Sequence, residues 1–187
     1  VSTGPVVPFR VKKYLRRNFG GTNDVPLIWM HNIQGLKVIW PLKKNDKEMA
    51  IIISGKTKSL LLPVKNYVLL KRFSSKEQER RLYAGVMLES DFSQYKYIGI
   101  ENHVNFIYKP RGSLSESEAF GIAAILNTTI VDRYFRALNG NTQVNATDIR
   151  SMPFPPIEKI REILGKEALP ENVSQIKGTE YLHRVVE

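Results

Sequence analysis

Residues 69–82, LLKRFSSKEQERRL, combine side chains that bind phosphate. An apolar run ends at residues 71–73, and Ser74 with Glu77 three positions later has the spacing of a box that caps a short helix. Guanidinium, ammonium and hydroxyl groups at such a junction hold nucleic-acid phosphates. The alternative is a set of surface ion pairs, which contribute little. The predicted contacts to a DNA backbone are Arg72, Ser74, Ser75, Lys76 and Arg80.

Lysines also concentrate in two turn-like pieces between apolar runs, KKNDKE (43–48) and SGKTKS (54–59). Ammonium groups there can follow a phosphate backbone as point charges. Equally, loop lysines can keep edge strands from pairing with other chains. The predicted phosphate contacts in these loops are Lys43, Lys44, Lys56 and Lys58.

The stretch VVPFRVKKYLRRNF, residues 6–19, predicts a helix with a basic ridge. Its lysines and arginines recur one helical turn apart, while Val11, Leu15 and Phe19 can face inward. The glycine pair at 20–21 then ends the helix. The predicted DNA contacts on this ridge are Arg10, Lys12, Lys13 and Arg16.

Residues 139–156, NGNTQVNATDIRSMPFPP, are rich in amides. Asparagine and glutamine can pair bidentately with adenine, and arginine with guanine. Amides also build turns by bonding to their own backbone, and this structural interpretation is favoured for the stretch as a whole. The residues that stay candidates for contacts with DNA are Asn141, Gln143 and, upstream, Arg111.

Charge is distributed unevenly along the 187 residues. The net charge is +10, and residues 1–83 hold 17 Lys and Arg against 5 Asp and Glu, whereas residues 84–187 hold 11 against 13. A basic half joined to a nearly neutral half is typical of a polyanion-binding face on a neutral scaffold. An excess of solvated lysine is the alternative.

The familiar local motifs of catalysis are absent from the sequence. No glycines are spaced as Gly-x-Gly, no Asn or Asp precedes a proline, and the three histidines are scattered without metal-ligand spacing. We therefore expect no catalysis, cofactor or metal in this chain alone. The lack of cysteine fits a cytoplasmic protein, and no apolar run is long enough to span a membrane.

The order of apolar runs predicts an α+β fold. Eight short β-rich runs lie between residues 25 and 107, and helical patterns follow from Ser115, which forms a capping box with Glu118. We expect a curved, mostly antiparallel sheet or open barrel in residues 1–110, packed against helices in 113–166. Residues 1–166 would form one recognition domain, and 167–187 a tail that can be helical.

Five blocks, in order, carry a resemblance to a known family: STGPVVPFR, PLIWMHNIQGLKVIWP, LLKRFSSKEQERRL, IGIENHVNFIYKP and NGNTQVNATDIRSMPFP. Together they resemble the target-recognition region of adenine-specific DNA methyltransferases from restriction–modification systems. The last block, from Gln143 to Pro156, also resembles recognition domains of type I specificity subunits. Pro8 departs from the acidic residue expected at its position.

The resemblance implies that this region binds double-stranded DNA and selects the sequence. A covalently linked upstream domain would bind S-adenosylmethionine and methylate a flipped adenine. Some relatives also carry a nuclease domain. The resemblance brings no catalytic residue to this chain.

Two other hypotheses remain open. An assembly module would dock through the apolar helices of residues 115–138 and would expose an apolar patch there. A free-standing enzyme would instead hold histidine or carboxylate groups with perturbed pKa values in a concave pocket.

Overall fold

The computed structural model describes residues 1–42, 46–75 and 77–165, and it confirms the α+β class. The strands are β1 (Ser2–Thr3), β2 (Leu15–Arg16), β3 (Asp24–Ile28), β4 (Ile33–Gln34), β5 (Lys37–Val38), β6 (Ala50–Ile52), β7 (Leu61–Pro63), β8 (Tyr67–Lys71), β9 (Ala84–Met87), β10 (Tyr97–Ile100) and β11 (Val104–Ile107). The helices are α1 (Pro8–Val11), α2 (Glu116–Leu126), α3 (Thr129–Leu138), α4 (Ala146–Ser151) and α5 (Ile157–Gly165).

The strands form two mostly antiparallel sheets that do not close into a barrel. The six-stranded sheet has the order β1-β11-β8-β9-β5-β4, and the five-stranded sheet the order β2-β6-β3-β10-β7. One pair in each sheet is parallel, β5 with β9 and β3 with β10. Each of the eight apolar runs contains a strand, because β-branched and aromatic residues suit a pleated surface that is buried on at least one face.

Apolar side chains fill the space between the two sheets. Ile28 and Ile100 from the five-stranded sheet pack with Leu69, Met87 and Phe106 from the six-stranded sheet. Successive strand residues point to opposite faces. The neighbours of Leu69 in β8 therefore face away from this layer.

A second apolar layer lies between the six-stranded sheet and the helices. Val68 and Leu70 of β8 pack there with Leu126 of α2 and Phe135 of α3. Since β8 is covered on both faces, its apolar run is continuous instead of alternating with polar residues. Large-to-small substitutions in such a core cost about 2–5 kcal/mol.

The N-terminal segment covers the outer face of the five-stranded sheet. Val6, Val11 and Leu15 pack there against Leu27 and Ile51. The long helix predicted for residues 6–19 is wrong. It is replaced by the single turn α1, a 3-10 turn at Lys12–Tyr14 and the strand β2, since pairing of β2 with β6 draws the backbone out straight. The inward positions of Val11 and Leu15 are confirmed, but the basic ridge does not form.

The start of the chain also joins the two sheets. In β1, Ser2 and Thr3 pair with β11, and the next residues cross to the five-stranded sheet, where Val6 N donates to Ile100 O at 3.1 Å. Gly4 makes this crossing possible. A Cβ on Gly4 would lie 2.6 Å from Ile100 O, closer than any real contact of that kind.

The helical half begins as the sequence predicts. Ser115 Oγ accepts from Glu118 N at 3.1 Å, and Glu118 Oε2 accepts from Ser115 N at 2.8 Å, which completes the capping box of α2. The apolar stripe predicted on α3 is only partly buried. Phe135 is fully buried, whereas Ile130, Tyr134 and Leu138 are 47%, 42% and 52% exposed.

One predicted helix is absent from the structure, and several residues named in predictions lie outside the described ranges. The short helix predicted from Ser74 does not form in residues 73–75 and 77–82, which instead make turns bonded to the helical half. The tail at 167–187 and residues 43, 44 and 76 lie outside the described residues. No helix of the described chain is both long and apolar enough to cross a bilayer.

Candidate nucleic-acid interface

Several strand ends meet at one edge of the molecule. Because β8 is antiparallel to β9 and β11, its last residue Lys71 lies opposite Val104, and Leu70 lies opposite Ala84. Residues 101–103 connect the end of β10 directly to β11. We call residues 71–75, 101–103 and 141–144 the strand-end surface.

Arg72 joins the three segments of this surface. Its backbone N donates to His103 O at 2.9 Å, and its carbonyl accepts from Val144 N at 2.7 Å. Its Nη1 donates to Asn102 O at 2.9 Å, while Nε and Nη2 lie 3.1 and 2.6 Å from the side-chain amide of Gln143. The half-buried guanidinium thus fixes the geometry of the surface and retains part of its donor capacity.

An acid and an imidazole lie beside an exposed aromatic ring. His103 Nδ1 is 2.6 Å from Glu101 Oε1, and His103 N donates to Glu101 Oε2 at 3.0 Å. Burial raises the pKa of Glu101, and the contacts with His103 oppose that rise. Phe73 is 39% exposed, with its ring centroid 5.0 Å from that of His103.

A cavity of about 650 Å³ opens next to this turn. Its walls combine aromatic rings, cations and the polar groups of the turn, and they include Phe9, Lys12, Trp29, His31, Lys47 and Glu101. The volume lies within the range of about 300–1,000 Å³ that is usual for ligand pockets.

The aromatic rings of the cavity are stacked and surrounded by positive charge. Trp29 and His31 stack with centroids 6.0 Å apart, and Lys47 Nζ lies 5.4 Å from the centre of the Trp29 ring. Burial, together with the charges of Lys47 and Lys71, lowers the pKa of His31. Within the described chain, His31 Nε2 is buried without a hydrogen-bond partner.

The cavity meets the structural condition of the enzyme hypothesis, a concave site with perturbed histidine and carboxylate groups. Its lining residues nevertheless include no hydroxyl or thiol nucleophile. The described residues also contain no group of three or more potential metal ligands. Cations beside flat aromatic faces suit binding of phosphates and bases.

Several residues predicted from the sequence meet at or near the strand-end surface. Arg72, Ser75, Asn141 and Gln143 belong to it, and Lys12 lines the adjacent cavity. Ser74 is also there but is buried, with its hydroxyl accepting from Arg81 Nε at 2.9 Å.

Arg80 and Arg81 have structural partners in the helical half. Arg80 donates to the carbonyl of Asn127, at the end of α2. Arg81 is only 1% exposed, and its side chain donates to the carbonyl of Asn141. Its backbone N–H donates to Asp132 Oδ1 at 2.6 Å. Arg80, a predicted contact to a DNA backbone, is therefore half-buried and bonded to the helical half of the chain.

The remaining predicted residues are dispersed. Lys13 and Arg16 are exposed on the N-terminal segment, and Arg10 lies 5.5 Å from the Phe9 ring. Lys56 and Lys58 are exposed between β6 and β7. Arg111 follows β11, at the opposite end of the six-stranded sheet from Arg72. Lys43, Lys44 and Lys76 lie outside the described residues.

Sequence reasoning missed the Glu101–His103 pair and the residues Trp29 and His31. The available signal was the turn-like ENH sequence between two β-rich runs, which places a carboxylate and an imidazole two residues apart. The buried role of Arg81 left no local signal, since it follows another arginine in an apparently exposed segment.

Comparison with known proteins gives a consistent assignment. The chain is 44% identical over 179 residues to the type II methyltransferase M.BsuBI of Bacillus subtilis. The aligned region covers 95% of the chain and 35% of that relative. It is 37% identical over 163 residues to the type II methyltransferase M.PstI of Providencia stuartii. This aligned region covers 87% of the chain and 32% of that relative. The chain is homologous to part of these enzymes.

The chain thus spans about a third of the length of these curated relatives. No family model matches it, and no solved structure does. The relatives support a place for this chain within a methyltransferase.

Proposed function

We propose that this chain is the module that recognises double-stranded DNA in a type II, adenine-specific DNA methyltransferase of a restriction–modification system. The observation that carries the proposal is the strand-end surface with its cationic, aromatic cavity, in a chain homologous to about a third of the length of two type II methyltransferases. The rest of the enzyme, covalently linked, would bind S-adenosylmethionine and transfer the methyl group in the cytoplasm.

The charges at this edge suit a phosphate backbone. Lys12 and Lys47 are exposed around the cavity, and Lys71 and Arg72 lie on the strand-end surface. Cationic side chains near phosphates release counterions, which supplies most of the affinity that does not depend on sequence. Phe73 and His103 present flat rings beside these cations, and such rings can stack with bases.

The salt dependence of duplex binding tests this proposal. Replacing Lys12 and Lys47 together by glutamine should reduce the slope of log affinity against log salt by about 0.9 for each phosphate that the variant no longer neutralises. The matched control replaces Lys96 and Lys159, two exposed lysines elsewhere. Equal slopes for the two double variants, or no duplex binding by the intact chain, would contradict the proposal.

A second candidate function rests on α3. Ile130, Tyr134 and Leu138 recur every four residues and are all substantially exposed, so they form one apolar face. Contiguous apolar surface of this kind marks protein contacts. We propose that the remaining two thirds of the methyltransferase packs on this face, which makes the chain an assembly module as well as a DNA reader.

Hydrogen exchange can test this docking. Amides of residues 129–138 should exchange more slowly in the full-length enzyme than in the isolated chain, while those of the exposed residues Ser93 and Gln94 should serve as an unaffected reference. Equal exchange at 129–138 in both proteins would rule out contact through α3.

A further inference from the structure

The pairing of Arg72 with Gln143 fixes which end of the glutamine amide faces outward. Two guanidinium nitrogens, Nε and Nη2, converge on this amide at 3.1 and 2.6 Å. A guanidinium has donors and no acceptor. The amide oxygen must therefore face Arg72, and the amide nitrogen must point away from it.

The backbone around Gln143 is also fixed. Gln143 forms an antiparallel bridge with Phe73, and the adjacent Val144 N donates to Arg72 O at 2.7 Å. The Gln143 carbonyl accepts from Asn139 Nδ2 at 3.1 Å. Arg72 is itself held by the carbonyl of Asn102 at 2.9 Å. The amide therefore has little freedom to rotate.

This arrangement leaves two N–H donors at the surface. Gln143 is half-buried, and its flanking residues Asn141 and Thr142 are exposed, as is Phe73. In this orientation Arg72 donates to the amide oxygen of Gln143, so the two N–H groups of the amide lie on the side away from the guanidinium. The amide group of this glutamine thus acts as a donor-only probe of whatever binds there.

A donor-only amide favours guanine over the other three bases in the major groove. To read adenine, glutamine uses its oxygen to accept from N6 and its nitrogen to donate to N7. Here Arg72 occupies the oxygen. Guanine shows two acceptors, O6 and N7, whereas cytosine shows a donor. Thymine and adenine each offer a single acceptor.

We propose that Gln143, oriented by Arg72, reads a guanine in preference to adenine, thymine and cytosine at the same position. The proposal deepens the DNA-recognition function above and rests on it. Gln143 is the specificity residue, and Arg72 is a positioning residue that acts through it. This assignment differs from the general expectation that glutamine reads adenine.

Base selection from a random duplex pool, followed by competition with duplexes that differ at one base pair, tests the proposal. The intact chain should require guanine at one position. The variant Gln143→Glu keeps the size of the side chain but removes both donors, and it should lose at least about tenfold of the preference for guanine there, since a bidentate contact discriminates by about tenfold or more.

The variant Arg72→Met provides the decisive comparison. It frees the amide to present either end, so adenine should become acceptable at the same position while preferences elsewhere persist. Gln94→Glu is the matched control for charge, because Gln94 is an exposed glutamine in the turn before β10. Circular dichroism should show all variants folded. If Gln143→Glu fails to fold, Gln143→Met removes the donors without adding charge.

The outcomes separate the two proposals. Equal loss of affinity for every sequence in the Gln143 variants, or an adenine preference that depends on Gln143, would overturn the reading of guanine and leave DNA recognition intact. A folded wild-type chain without sequence preference in any duplex would instead refute the proposed function.

Discussion

Among single residues, Asp132 shows how a buried carboxylate organises the region behind the strand-end surface. Its Oδ1 accepts from Arg81 N at 2.6 Å and from Leu82 N at 2.9 Å, and its Oδ2 accepts from Arg136 Nε at 2.8 Å. The two backbone donors lie 51 and 50 positions away in the sequence. Two of these bonds tie residues 81 and 82 to α3, and the third holds the carboxylate in place from the next turn of the same helix.

Removing this carboxylate should destabilise the fold. We expect Asp132→Ala to lower the free energy of unfolding by at least about 2 kcal/mol, because each buried N–H left without a partner costs about 1–3 kcal/mol. Urea denaturation would measure the change. Asp91→Ala, at an exposed acid, should change stability by less than about 0.5 kcal/mol, and a similar small effect at Asp132 would show that its network is dispensable.

The residue types that bind DNA were recognisable in the sequence, but their individual roles were not. Arg72 and Gln143 were both candidates, yet nothing in the sequence shows that they bind each other, since they lie far apart along the chain. Arg80 and Arg81 are neighbours of the same type, and only contacts with distant residues, among them Asp132 and Phe135 of α3, determine that Arg81 is almost completely buried. The local sequence gives the type of each residue, whereas contacts with residues far along the chain determine what that residue does.

At the scale of elements, Glu118 couples the start of α2 to α5. Besides the capping bond, its Oε1 accepts from Arg161 Nε at 3.1 Å and lies 3.6 Å from Lys109 Nζ. Burial alone would raise the pKa of Glu118, but the Ser115 N–H and the two cations outweigh it and lower the pKa below its ordinary value of 4.5. The charged form is therefore more stable in the folded protein.

This shift predicts a pH dependence of stability. A carboxyl group with a lowered folded pKa contributes stability above about pH 4.5 and loses it as the pH falls through the folded pKa. The difference in free energy of unfolding between wild type and Glu118→Gln should be about 1–3 kcal/mol near pH 7 and should shrink below pH 4.5. Glu116→Gln, an exposed change in the same turn, should show a much smaller difference. A pH-independent difference at Glu118 would contradict the assignment.

The elements themselves followed closely from sequence pattern, with two instructive exceptions. The capping box at Ser115 and the strands β3 and β5 to β11 were correct, because each depends on local periodicity or a local bond. The helices predicted at 6–19 and from Ser74 failed. In both places, hydrogen bonds to distant partners, the backbone of β6 and the carboxylate of Asp132, override a helical spacing of charges.

For the whole molecule, the order of layers is the main result. The molecule consists of four stacked layers, with apolar side chains between each layer and the next. In order, the layers are the N-terminal segment, the five-stranded sheet, the six-stranded sheet and the helices. The division of the strands between two sheets was not predictable from the pattern, since an open barrel contains the same runs. Only the pairing partners distinguish the two arrangements.

The crossing at Gly4 is the point where this stack is most sensitive to a small change. Gly4→Ala should destabilise the protein by about 1–3 kcal/mol, because the new methyl group would meet backbone carbonyls that cannot rotate aside. Gly55→Ala is the control, since a methyl group there meets open space. Thermal unfolding would compare them, and equal melting temperatures would mean that the sheets can separate at little cost.

The short strand β1 also matters for anyone who prepares this domain. Thr3 Oγ1 donates to Asn105 Oδ1 at 2.9 Å, and Asn105 Nδ2 donates to Val144 O at 2.7 Å, directly beside Gln143. A recombinant fragment trimmed to begin at Pro5 would uncover the border of β11, where other molecules can add as extra strands. It would also remove a hydroxyl that supports the backbone next to the glutamine, so cloning boundaries should retain Ser2.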